Sequence, residues 1–180
     1  VARALAARLL GLLKDAAAVP VLRKVVAAEA RRETSVLAAA AARALAALPD
    51  AEAGPSLAAA TTAWVAYFDR HRMGETMRFS DWERSLGTLA AIVGAWADVG
   101  GAGAPDALEK GLVARVFLAP PKVETSDRVP QDPGLARAAL ATAVGRAYAA
   151  GKAPDARWTA LLAALASDEK AKAAAAAERK

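Results

Sequence analysis

The sequence predicts an all-α solenoid of about four antiparallel helical hairpins, and three observations carry that expectation. The stretch Leu9 to Leu22 is echoed 35 residues later, where Leu10, Leu13, Asp15, Pro20 and Leu22 recur as Leu45, Leu48, Asp50, Pro55 and Leu57. Each copy reads as the end of one helix, a turn at the Asp, and a second helix with Pro in its first turn. Alanine supplies 54 of the 180 residues; it is the best helix former and is small enough to let helices approach closely. No alternating Val/Ile/Thr run marks a strand.

Taken in order, Val1 to Leu13 forms a first helix with Leu5, Leu9, Leu12 and Leu13 expected inward, Leu10 widening the stripe, and Arg3 and Arg8 at its margins. A second helix over Ala17 to Ala28 turns Val19, Leu22, Val25 and Val26 inward and ends near Arg31-Arg32, whose cations oppose the negative end of the helix dipole. Thr34 or Ser35 caps a third helix that Pro49-Asp50 stops after Leu48. The fourth begins near Gly54-Pro55 and carries Leu57, Thr61, Trp64, Val65 and Phe68 at helical spacing. Polar residues from Asp69 to Arg78, with both methionines and the only histidine, predict an irregular connection over 67–79.

Ser80 and Glu83 form a capping box, after which Trp82, Leu86, Leu89, Val93 and Trp96 make one stripe. Gly100-Gly101-Ala102-Gly103 closes that helix, and Pro105-Asp106 opens the next, with Leu108, Leu112, Val113, Val116 and Phe117 inward. Prolines and scattered charge over 119–131 predict a second irregular connection. A seventh helix starts at Asp132-Pro133 with Leu135, Leu140, Val144 and Tyr148, and an eighth at Pro154-Asp155 with Trp158, Leu161, Leu162 and Leu165. The expected hairpins thus span about 1–32, 33–68, 80–118 and 132–167 of a single domain, followed by an Ala/Lys/Glu tail at 168–180 with no face to bury. The last two hairpins match each other at offsets of 51 and 49, through Val93-Gly94 with Val144-Gly145 and Pro105-Asp106-Ala107 with Pro154-Asp155-Ala156.

Composition narrows the chemistry. With no cysteine, disulfides, thiolate catalysis and Cys-based metal sites are excluded, while the compartment stays open, with the cytoplasm favoured. The uncharged runs Ser56 to Phe68 and Ser85 to Ala97 are shorter than the ~20 residues a bilayer requires, so no membrane span is expected. The net charge of +5 is uneven: +5 over residues 1–32, −3 over 33–131 and +3 over 132–180. Basic ends with a slightly acidic middle argue against a continuous groove along a phosphate backbone. The opening at Val1, already inside a helical pattern and without Met, is what a segment of a longer chain would show.

Residues 4–22 and their copy up to Leu57 resemble the HEAT-like helical repeats, including the short bacterial form named after phycobilisome lyases; the likeness is clear over residues 1–66 and degenerate beyond. The resemblance implies antiparallel helix pairs stacked into a right-handed α-α superhelix whose surface binds other molecules. It is nearly silent on activity, because scaffolds, adaptors, DNA-repair enzymes and hydroxylases share the repeat. The hydroxylases of the family bind iron through repeated His-Glu pairs, and none occurs here.

Within the chain itself, His71 has no second His or Cys to complete a metal site, so no metal or cofactor is expected. No Gly-x-Ser-x-Gly or phosphate-loop pattern appears, and the glycine-rich turn follows a helix instead of a strand, so an enzyme is not expected. Trp64, Trp82, Trp96 and Trp158 lie on apolar stripes, the position of core aromatics, although Trp82 beside Asp81 and Trp96 near Asp98 could also suit a DNA-glycosylase surface. Arg31, Arg32, Arg70, His71, Arg72 and Arg78 are the surface candidates for binding, because the turns of stacked hairpins align along one edge.

The expected function is a non-enzymatic scaffold binding a protein partner or neighbouring domains of a larger assembly. The alternatives are a nucleic-acid-binding, DNA-repair-like repeat using the basic ends and, last, a pigment lyase-like chaperone. Since solenoids need polar terminal caps and the first helix shows none, that helix is expected to pack against an upstream element or another chain.

Overall fold

The computed structural model describes residues 2–28, 30–31, 34–72 and 79–100, together with 139–140, 142–143 and 146. Among these, regular structure is entirely helical: α1 (Ala2–Leu12), a 3-10 turn (Ala16–Ala18), α2 (Val19–Val26), α3 (Ser35–Ala46), α4 (Ala53–Arg72) and α5 (Phe79–Asp98). The helices expected at 105–118 and from Pro154, the connection at 119–131 and the tail at 168–180 lie outside the described residues; of the seventh helix only 139–140, 142–143 and 146 are described, all helical, with Leu140 buried as expected.

The 35-residue echo has a counterpart in backbone geometry. Asp15 Oδ1 accepts the Ala17 N–H at 3.0 Å, and Asp50 Oδ1 accepts the Glu52 N–H at 3.1 Å. The Asp15 carbonyl takes the Ala18 N–H at 3.1 Å, and the Asp50 carbonyl takes the Ala53 N–H at 3.2 Å. The same aspartate therefore makes the same turn twice; Asp15 caps the 3-10 turn directly, and Asp50 stands three residues before α4. Upstream the two turns differ. Lys14 adopts a left-handed φ of 52°, the Lys14 N–H reaches the Gly11 carbonyl and the Asp15 N–H reaches the Leu10 carbonyl, both at 3.2 Å. This is the Schellman ending. Pro49 stands at the equivalent position of the second copy and cannot adopt that conformation.

Helix α3 packs against both α1 and α5, while α2 packs chiefly on α3 and α4 on α5. Alanine makes this closeness possible: Ala38, Ala40, Ala41, Ala42 and Ala44 of α3 are all buried. The largest fully buried side chains are Trp64, Leu22, Leu45, Leu57, Leu86, Leu89, Ile92 and Leu140. Leu22 and Leu57, partners in the 35-residue echo, are both among them. Trp64 meets Tyr67 edge to face with ring centroids 5.5 Å apart, and Tyr67 meets Phe68 at 6.2 Å. On the other side of α5, a Cβ on Gly94 would stand 3.6 Å from the Arg146 guanidinium and 3.8 Å from the Ala143 methyl.

Three expectations are corrected. The leucines of α1 do not face inward: Leu5, Leu9, Leu12 and Leu13 are 55%, 48%, 77% and 75% exposed, whereas Ala4, Ala7 and Gly11 are buried. The reason is the approach of α3, where a Cβ on Gly11 would stand 2.7 Å from the Cα of Ala44. Only a small-residue face fits there. Helix α4 continues through Tyr67 and Phe68, both buried, as far as Arg72, so the start of the expected 67–79 connection is helical. Finally, α2 stops at Val26 with Arg23 and Lys24 in its last turn, so these cations, and not Arg31-Arg32, sit at its negative end.

Candidate interaction surface

Of the basic candidates, Arg31 is exposed in the turn between α2 and α3, and Arg70 is exposed near the end of α4. The Arg31 segment is held locally: its N–H donates to Thr34 Oγ1 at 3.1 Å, and the Thr34 hydroxyl donates to the Arg31 carbonyl at 2.9 Å. Thr34 precedes α3 as expected of a cap, but its side chain turns back to Arg31 and makes no hydrogen bond to the helix. Arg32, Arg78 and the side chains of His71 and Arg72 lie outside the described residues. No group of three His, Asp or Glu side chains suited to a metal occurs among the described residues, and no described helix is long and apolar enough to cross a membrane.

The tryptophans that are described sit in the core: Trp64 is 1% and Trp96 is 6% exposed. Neither can stack on an incoming base. Asp98 is engaged by Arg146 in an ion pair. The side chains of Asp81 and Trp82, and all of Trp158, lie outside the described residues.

The surface feature that stands out is the outer side of α1. Helical periodicity puts Leu5, Leu9 and Leu13 in line, with Leu12 beside them and Ala2 and Ala6 completing an apolar face opposite the packed one. Arg8 borders that face on one side and Arg3 on the other; both are exposed and neither forms an ion pair among the described residues. Exposed leucines scattered singly need no explanation, but a contiguous stripe rimmed by charge does.

The 35-residue echo gives this face a counterpart. Shifted by 35 residues, Leu5, Leu9 and Leu13 become Ala40, Ala44 and Leu48, which are 4%, 3% and 4% exposed. In the second copy, therefore, the same face is covered, and at Ala44 the cover is α1 itself. Leu12 departs from the rule, since its counterpart Ala47 is exposed. Sequence reasoning missed the face because it assigned the leucines to the core. The signal was present in Ala4, Ala7 and Gly11, a small-residue stripe at helical spacing that marks close helix contact.

A polar contact joins the two copies. Arg23 of α2 grips Asp50 with two parallel hydrogen bonds, Nε to Oδ2 at 2.7 Å and Nη2 to Oδ1. The hydrogen bonds from Arg23, with help from the Glu52 N–H, hold the Asp50 carboxyl below its usual 3.8 despite its burial. Set against protein-family models, curated proteins and solved structures, the chain matches none.

Proposed function

We propose that the chain is a non-enzymatic, HEAT-like repeat scaffold, a solenoid that binds a protein partner or a neighbouring domain of a larger assembly through the leucine face of α1. One observation carries the reading: Leu5, Leu9 and Leu13 are open to solvent while their counterparts Ala40, Ala44 and Leu48 are covered. A repeat unit with an uncovered stacking face is built to be stacked upon. The row of α1, α3 and α5, with small residues where α1 meets α3, supports the solenoid part of the proposal.

The test is affinity purification from the native source with the wild-type chain and with Leu9→Glu, each with and without nuclease. A protein retained stoichiometrically by the wild type and lost from Leu9→Glu supports the scaffold. Nucleic acid retained equally by both, and released steeply as salt rises, would replace it with the nucleic-acid reading.

A further inference from the structure

Resting on the scaffold reading, we infer that the leucine face of α1 receives an amphipathic helix with a small-residue contact stripe and carboxylates along its flanks. The first argument is the repeat. Ala44 is covered at Gly11, which lies with Ala4 and Ala7 on the buried side of α1, and Leu9 occupies in α1 the place that Ala44 occupies in α3. Applying the same stacking step once more sets the small stripe of an incoming helix over Leu9. Since α1 presents leucines where α3 presents alanines, that helix needs Ala or Gly opposite them, so that the leucines enter holes on its surface and do not meet other large side chains.

The second argument is charge. Arg3 and Arg8 border the leucine face on opposite sides, both are exposed, and neither forms an ion pair among the described residues. Carboxylates along the flanks of an incoming helix complement them. The same arrangement disfavours a second copy of the chain, because pairing two leucine faces brings four arginines together on the rims.

The experiment uses the full chain and two fluorescein-labelled, Ala-rich helical peptides that share one Ala/Gly stripe, flanked by Glu in one and by Lys in the other, with fluorescence anisotropy as readout. The expected result is binding of the Glu-flanked peptide at least tenfold tighter than the Lys-flanked one. It should weaken at least tenfold in Leu9→Glu and several-fold in Arg3→Ser/Arg8→Ser. Leu5→Gln is a second, milder probe of the face, and far-UV circular dichroism verifies that each variant is folded. Equal binding of the two peptides, no binding of either, or binding unaffected by the variants overturns the inference. Concentration-dependent dimerisation in sedimentation, abolished by Leu9→Glu, overturns it in favour of a second copy. The two readings fail separately. If neither peptide binds but Leu9→Glu still removes a native partner, the helix chemistry is wrong and the scaffold stands. If the Glu-flanked peptide binds as expected but Leu9→Glu changes no native partner, the scaffold reading falls.

Discussion

Replacing Gly11 by Ala tests the close approach of α1 to α3 most directly. In an unconstrained helix the change stabilises, because Ala exceeds Gly in helix propensity by about 1 kcal/mol. Here the added Cβ would lie 2.7 Å from the Cα and 2.8 Å from the Cβ of Ala44. Non-bonded carbons settle at roughly 3.5–4.0 Å, so α1 has to move outward by about an ångström. Overpacking of this kind costs about 1–3 kcal/mol. Because α1 has an open outer side and can retreat, the lower to middle part of that range applies, and the propensity gain reduces it further. The expected net loss is about 1 kcal/mol.

Gly87, in the middle of α5, supplies the control, since a Cβ there meets nothing within 4 Å. Gly87→Ala should therefore gain about 0.5–1 kcal/mol. Urea unfolding of the full chain, followed by far-UV circular dichroism, should separate the two variants by about 1.5–2 kcal/mol, the sum of that loss and gain. A Gly11→Ala chain as stable as Gly87→Ala would refute the packing of α1 on α3. Ala44→Gly added to Gly11→Ala should recover only part of the loss, because the Ala44 Cα remains in the way.

Three further outcomes are expected. Asp15→Ala should cost about 1 kcal/mol, as loss of a capping side chain usually does, and Asp50→Ala more than that, because it also strands Arg23; urea midpoints of the two variants give the difference. Asp50 ionises in the folded chain below its usual 3.8, so its contribution is complete above that value and is lost as pH falls through the lowered one. Stability measured from about pH 5 downward should therefore fall less steeply in Asp50→Asn than in the wild type. Lys14→Gly should raise stability by about 0.5–1 kcal/mol by relieving the left-handed backbone, read as an increase in thermal midpoint.

The turns and the helical class were legible because they rest on local chemistry. Asp15 and Asp50 could be read as turn formers from their spacing, Pro20 and Pro55 as first-turn residues, and Leu22 and Leu57 as core. Which face of α1 is buried was not legible from hydrophobicity. A rule that sends the largest apolar residues inward selects Leu5 and Leu9, but a helix packed against alanines is limited by distance, and Gly11 and Ala7 win on size. The end of α4 was misread for a related reason. Asp69-Arg70-His71-Arg72 is polar enough to suggest a loop, yet the burial of Tyr67 and Phe68 carries the helix through it. The candidate surface was the least legible part, since it is defined by what covers Ala40, Ala44 and Leu48, a comparison that needs coordinates for both copies.

Contacts built from alanine have a consequence for how the helices keep their positions. Methyl groups offer shallow ridges, so one Ala-rich helix can slide or rotate on another at little cost in contact area. Beside the interlocked large side chains such as Leu45, Leu89 and Ile92, a few polar pins add registration: Thr88 Oγ1 of α5, 3.2 Å from the Ser35 carbonyl at the start of α3, the Arg23 grip on Asp50, and the pairing of Asp98 with Arg146. Removing a pin should leave helix content unchanged while broadening the spread of helix positions, a change that amide exchange at the junctions would register before any loss of circular dichroism.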